Sequence, residues 1–311
     1  MANQRLDKYI KRILPGCPNS LLYKQLRKKN ITLNGKKADG TEIVSEGDSV
    51  EVFFSDETFE KFSSNADVDL SRYESAFRDI GNIDAVYEDD DIVVFNKPAG
   101  LLSQSEISGK VSVNDYLIGY LLDTGKCSAD SLKAFKPSVC NRLDRNTSGL
   151  ILCSKSLEGA HFLSEKIKSR DIEKYYLALV YGRFDKAFEA TAFVCKDEKN
   201  NMLEFVSADS FGAVEIKTGF EPMCFNDELS LVKIRLYTGK SHQIRAHLSH
   251  LGYPVIGDVK YGNPGKSKIT AKRQMLHSYI TVLDNEKSFK APVPEDMKRL
   301  LDKYFEKNLE L

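Results

Sequence analysis

The sequence predicts an α+β protein in two parts, a small module of helices and a hairpin followed by a larger domain of strands and helices. Three observations predict it. The chain has 311 residues, long for one domain and comfortable for two. Near its start, apolar residues at helical spacing give way to a hairpin signal. Farther on, unbroken and alternating apolar runs, as strands show, are interleaved with helical patterns. Apolar residues make up 41% and charged residues 29%, enough to bury a core and too apolar for disorder.

The module comes first. Residues 4–13 (QRLDKYIKRI) place Leu6, Ile10 and Ile13 at helical spacing, and Pro15 and Gly16 stop that helix. Ser20 is the expected N-cap of a second helix, with Leu22 and Leu26 on one face and Lys24, Arg27, Lys28 and Lys29 outside. In ITLNGKKA, Ile31 and Leu33 alternate with Thr32, and Asn34-Gly35 signals a hairpin ahead of Lys36 and Lys37. Gly47-Asp48 is another turn, before the strand-like Val50, Val52 and Phe54. Residues 55–82 are polar and acidic without sustained periodicity and read as a linker, so the large domain is expected from Ile83.

Charge and cysteine usage narrow the function. The 45 basic and 45 acidic residues cancel, which argues mildly against nucleic acid. The distribution is uneven: residues 21–40 hold six Lys or Arg against Asp39 alone, while 55–79 are acidic. A basic patch beside an acidic connector fits an anion-binding module, and a solvated helix face is the competing reading. Arg5, Lys8, Lys11 and Arg12 break the N-terminus too often for a signal peptide, and no charge-free run is long enough to span a bilayer. Six scattered cysteines without a CxxC pair suit reduced, packed thiols. A soluble cytoplasmic protein is expected. His242, His247 and His250 lie within nine residues, but no carboxylate completes a ligand set, so no metal is expected.

In the larger part, AVYEDDDIVVFNKPAG (85–100) reads strand, acidic turn, strand, ended by Asn96-Lys97-Pro98. Val113, Leu117, Tyr120 and Leu121 follow at helical spacing. Residues 139–153, VCNRLDRNTSGLILC, set Asp144 between Arg142 and Arg145, ahead of Gly149 and an apolar strand. A carboxylate beside cations is held ionised, and can act as a nucleophile or stabilise a cation. A surface ion pair would look the same locally. DIEKYYLALVYG (171–182) is a strand with Tyr176, Ala178 and Val180 on one face and Tyr175, Leu177 and Leu179 on the other. LVKIRLYTGKSHQIRAHLSHLGYPVIGDVKYG (231–262) is a strand, a turn, a helix and a Gly- and Tyr-rich loop, and RQMLHSYITV (273–282) is strand-like.

Two resemblances follow from these motifs. RLDKYIKRIL (5–14), SLLYKQLRKKNITLNGK (20–36) and EGDSVEV (46–52) together resemble the S4 RNA-binding module, over residues 1–54. NRLDRNTSGL, TGKSHQIRAHL with GYPVIGDVKYG, and FNKPAGLL (95–102) resemble the RluA family of pseudouridine synthases, most closely its RluC/RluD-like members. The resemblance implies a catalytic domain over 83–311 with a long bent, mixed but mainly antiparallel sheet flanked by helices. It implies Asp144 as the catalytic acid, Tyr176 stacking on the target base, Arg245 pairing with the carboxylate and Leu276 packing beside the site. Asn141, where the family more often has His, with Arg142, Arg145, His242, Gln243 and Lys97, would contact substrate. Arg142 and Arg145 could equally brace the catalytic loop, and Lys97 could cap a strand.

The implied reaction breaks the N1–C1′ bond of a uridine and joins C5 to C1′. Nothing is oxidised and no group is gained, so no cofactor is expected. Cleavage develops positive charge on the sugar, for which a carboxylate is the natural counter-charge. The expected substrate is large-subunit ribosomal RNA and the expected state a monomer. The alternatives are a synthase acting on tRNA and a non-catalytic RNA-binding or ribosome-assembly factor.

Overall fold

The computed structural model describes residues 4–63, 69–105, 110–262, 269–284 and 287–305. The chain divides into two compact units, Met1–Asp69 and Leu70–Leu311. The first comprises β1 (Gln4–Arg5), α1 (Leu6–Ile13), α2 (Asn19–Arg27), β2 (Ile31–Leu33), β3 (Lys36–Lys37), β4 (Ile43–Val44), β5 (Val50–Val52) and α3 (Asp56–Ser63).

The helix expected over 4–13 starts at Leu6, because Gln4 and Arg5 pair with β4 as a short strand. The second starts at Asn19 rather than after Ser20: the Pro18 carbonyl accepts from Leu22 N at 2.9 Å, the first helical hydrogen bond. Leu6, Ile10, Leu14, Leu22, Leu26 and Ile31 form the core of this unit. Asn34 (φ 51°) and Gly35 (φ 70°) both take the positive φ that a two-residue type I′ hairpin needs, joining β2 to β3.

The linker reading of 55–82 is corrected. Both of its ends are helical, and only residues 64–68 lie outside the described residues. α3 belongs to the first unit, where the Phe62 carbonyl accepts from Gly16 N at 3.1 Å. The second unit opens at Leu70, and its first helix, α4 (Ser71–Ile80), begins twelve residues before Ile83. Its Tyr73, Ala76, Phe77 and Ile80 do follow helical spacing, but the acidic residues around them obscured it. Arg72 and Asp115 form a bidentate ion pair, both bonds 3.0 Å, that fastens α4 to the next helix.

The second unit continues with β6 (Ala85–Glu88), β7 (Ile92–Lys97), α5 (Val113–Asp123), α6 (Ala129–Ala134), β8 (Ser138–Val139), β9 (Ser148–Ser154), α7 (Leu157–Ser169) and β10 (Glu173–Tyr181). There follow β11 (Phe188–Asp197), β12 (Met202–Val206), β13 (Val214–Phe225), β14 (Leu229–Leu236), α8 (Gln243–His250), β15 (Leu276–Val282), β16 (Ser288–Lys290) and α9 (Glu295–Tyr304). Among the described residues, eleven strands form one mixed sheet in the order β12-β11-β13-β14-β10-β15-β9-β7-β6, with β16 on β15 and β8 on β9, and only the β9–β15 pairing is parallel. Strand alternation sorts residues between two apolar layers. Tyr176, Ala178 and Val180 join α5 and α8 on one face, and Leu177 and Leu179 join α9 on the other.

The parallel joint depends on Gly149. It has φ 107°, and a Cβ there would lie 2.1 Å from the Ser278 carbonyl oxygen, which belongs to backbone and cannot swing aside. Gly149→Ala is expected to cost about 3 kcal/mol or more, combining left-handed strain with a broken strand contact. Urea unfolding measures this, and an unchanged midpoint would show that β15 can shift to make room.

Candidate active site

Asp144 sits on the turn that feeds β9, and that turn is fastened by groups that bind its backbone. Thr147 N donates to the Asp144 carbonyl at 3.0 Å, closing the turn. Ser103 Oγ both accepts from Leu143 N (2.9 Å) and donates to Leu143 O (2.8 Å). Arg145 and Gly100 exchange two bonds, Gly100 N to Arg145 O at 2.8 Å and Arg145 Nε to Gly100 O at 3.0 Å. Arg273 Nη1 donates to Asn146 O at 3.1 Å, while its other nitrogens grip Asp296.

Lys97 does the same from β7, and its reading as a substrate contact is corrected. It is fully buried, and Nζ donates to the carbonyls of Pro98, Leu101 and Arg145 at 2.9, 2.9 and 3.1 Å. Burial, then repulsion from Arg273, draws its pKa down to about 7, with Asp144 pulling the other way.

Arg245 projects from the first turn of α8 into a space between two carboxylates. Nη1 donates to Asp144 Oδ2 at 2.7 Å. Nε and Nη2 form a fork with Asp258, at 2.6 and 2.8 Å. Asp258 Oδ1 also accepts from Lys260 N (2.9 Å) and Tyr261 N (3.1 Å). Burial works to raise the Asp258 pKa, but hydrogen bonding and charge from Arg245 outweigh it and hold the carboxyl below its ordinary value. The Tyr261 ring lies 5.3 Å from the guanidinium carbon, a cation–π contact. The Asp144 side chain is 24% exposed and that of Asp258 not at all, so Asp144 alone faces outward.

Outward means into a cleft of about 960 Å³. Asp144, Tyr176, Arg245 and Leu276 line it together, although 132 residues separate the first from the last. Tyr176 is buried but for its cleft side, and burial raises its hydroxyl pKa to about 12, with Ser278 opposing and Asp144 adding to the rise. Arg142 and Arg145 line the cleft and are exposed.

The other expected contacts are placed differently. Asn141 reaches the cleft, but its Oδ1 accepts from Leu152 N at 2.6 Å, so it fastens β9. Gln243 has no capacity left for substrate. Oε1 accepts from Thr238 Oγ1 (3.0 Å) and Lys240 N (3.1 Å), and Nε2 donates to Lys217 O (3.1 Å) and Thr218 Oγ1 (3.0 Å). It is buried and shapes the turn ahead of α8, which corrects its assignment to substrate. His242 takes a left-handed conformation, φ 59°, uncommon outside glycine. Its Nε2 lies 3.9 Å from Asp144 Oδ1, and burial lowers its pKa, against the pull of Asp144. His247 is buried on Thr218 Oγ1 at 3.1 Å and His250 stacks on Phe205 at 3.8 Å, so the three histidines face different neighbours. Among the described residues no cluster of His, Cys, Asp or Glu could hold a metal ion, and no helix is long and apolar enough to cross a membrane.

Sequence reasoning missed Asp258, Arg273 and Ser103. The first carried a faint signal, a lone acid in the Gly- and Tyr-rich loop after the Arg245 helix. The other two act on backbone carbonyls and leave none.

The sequence pattern of the family described as RNA pseudouridylate synthase matches residues 91–250. Ribosomal large subunit pseudouridine synthase C of Rickettsia bellii is 33% identical over 91% of this chain and 90% of its own length. The chain belongs to the RluA family of RNA pseudouridine synthases. It is therefore an isomerase acting on RNA. Ribosomal large subunit pseudouridine synthase D of Borreliella burgdorferi is also 33% identical, over 70% of this chain and 66% of the relative. Human RNA Pseudouridylate Synthase Domain Containing 4 shares the fold, with a TM-score of 0.58 at 20% identity, over 74% of this chain and 94% of that one.

The Arg245–Asp258 fork carries a pH signature. A carboxyl whose folded pKa is depressed contributes stability that is present above its unfolded pKa, near 3.9, and lost as pH falls through the folded value. Asp258→Asn is expected to unfold at a clearly lower temperature than the parent at neutral pH. The gap should stay constant down to about pH 4 and narrow below it. Calorimetry from pH 7 to 3 checks this, and a gap that widens in acid would show that Asp258 is not held ionised by Arg245.

Proposed function

We propose that the enzyme isomerises specific uridines of large-subunit ribosomal RNA, with Asp144 as the catalytic carboxylate. The observation that carries the catalytic assignment is the 2.7 Å bond from Arg245 to the one carboxylate of the pair that faces the cleft. The names of the Rickettsia and Borreliella relatives support the choice of RNA.

The chemistry needs three things from the protein. The uridine must leave its stack, and the Tyr176 ring offers the base a surface, with Leu276 beside it. A hydroxyl with a pKa near 12 stays neutral, so Tyr176 presents an uncharged ring. The N1–C1′ bond breaks, the base turns, C5 joins C1′, and the proton leaving C5 is balanced by one gained at N1. Asp144 meets the electron-poor sugar or base during that exchange. Whether it bonds to C1′, adds to the base or takes a sugar proton, it acts as an anion in a fixed place. Arg245 supplies the counter-charge without occupying the cleft.

In the first unit, Lys24, Arg27, Lys28, Lys29, Lys36 and Lys37 are all exposed. We read them, on the S4-like order of its elements, as an RNA-backbone surface that neutralises phosphates and releases counterions.

Two measurements test the reading. Asp144→Asn keeps the shape and removes the charge, so the purified variant should bind RNA with near-parental affinity and lose turnover by at least about 10³-fold. Mapping pseudouridines in ribosomal and transfer RNA from cells with and without the gene identifies the substrate. Missing sites only in tRNA would overturn the ribosomal assignment, and residual turnover by the Asn variant would overturn that of Asp144. Replacing Lys24, Arg27, Lys28 and Lys29 with Gln should flatten the salt dependence of binding by about 0.7 to 0.9 per lost phosphate contact. An unchanged slope would give the basic surface another role.

A further inference from the structure

Lys174 is a cleft cation that sits close to the chemistry without a carboxylate partner among the described residues. Lys174 lies two residues before Tyr176 on β10, on the same face and about 7 Å away along the strand. It lines the same cleft as Asp144 and Tyr176 and is partly buried, which draws its pKa down. Yet among the described residues no carboxylate pairs with it. The nearby acids are engaged elsewhere: Glu173 pairs with Arg235 and accepts from Tyr175 Oη, and Asp171 accepts from Ser169 Oγ at 2.6 Å. Arg170 also lines the cleft, exposed, closing α7 in a left-handed conformation (φ 63°) that Gly adopts more cheaply.

A partly buried ammonium without an anion is costly unless a ligand brings one. The ligand of this cleft is RNA, whose only anions are phosphodiesters. We propose that Lys174 seats one backbone phosphate next to the extruded uridine and so fixes which nucleotide of the strand reaches Tyr176 and Asp144. Lys174 is thus a positioning residue, one nucleotide step from the chemistry.

The proposal rests on the uridine-isomerising reading, and the test separates the two. The substrates are a short RNA containing the target uridine and two copies carrying a neutral methylphosphonate at one or other flanking linkage. For Lys174→Met the loss should fall on KM, about tenfold, with kcat within about twofold, and the salt slope should drop by about 0.7. One of the two methylphosphonates should cost the parent enzyme about as much and cost Lys174→Met nothing further. Lys174→Arg, which keeps the charge, should recover most of the loss. Equal methylphosphonate penalties in parent and Lys174→Met would overturn the phosphate seat, as would a loss confined to kcat. A parent enzyme inactive on all three RNAs, and on full ribosomal RNA, would overturn the parent reading instead.

Discussion

Arg245 is shared between two carboxylates of different kinds, and the geometry of the cleft follows from that division. Asp258 is wholly buried and saturated, with two bonds from the guanidinium and two from backbone N–H groups. It is an anchor with no capacity to react. Asp144 receives the remaining bond and keeps one face open. Were Arg245 tied to Asp144 alone, the pair could move together, and each shift would move the carboxylate that faces the cleft. Because Asp258 holds the fork in two places, Arg245 brings a fixed point in α8 to a loop more than a hundred residues away in sequence. Excellent geometry and extra hydrogen bonds are what allow buried charge to be tolerated, and this triad has both.

The other half of the arrangement is the loop that carries Asp144. Lys97, Arg273 and Gly100 donate to its carbonyls, and Ser103 brackets Leu143 from both sides. Such bonds fix the path of the backbone whatever side chains it bears. The loop can therefore present exposed Arg142 and Arg145 to a polyanion while Asp144 keeps its position. The strained His242 and the saturated Gln243 do the same for the turn ahead of α8.

How much of this the sequence shows depends on what kind of partner a residue has. The two faces of β10 were legible because alternation reports burial directly, and the hairpin at Asn34-Gly35 because its φ values demand those residues. Asp144, Tyr176, Arg245 and Leu276 were legible through motifs, and the structure places all four on one cleft. Lys97 and Gln243 were misplaced for one shared reason. A polar side chain in a motif suggests a ligand, whereas these two are consumed by backbone carbonyls and neighbouring hydroxyls, which leave no trace in composition. α4 was missed because its apolar stripe is thin and lies among charges, and its worth becomes visible only against α5.

The chain order of the sheet adds a constraint in time. β15 lies between β9 and β10, yet it is made after both and after five intervening elements. On the ribosome, the strands before residue 276 can form two separate half-sheets, one ending in β9 with the Asp144 loop and one starting at β10 with Tyr176. Among the described residues, β15 is the strand that joins them, inserting at the centre. Long-range closure of this kind is slow, and it leaves two strand edges exposed while it waits. A nascent or prematurely terminated chain thus carries both halves of the cleft without the strand that joins them. The Asp144 loop and Tyr176 therefore come to share one cleft only after residues 276–282 have been made, however early each half has folded.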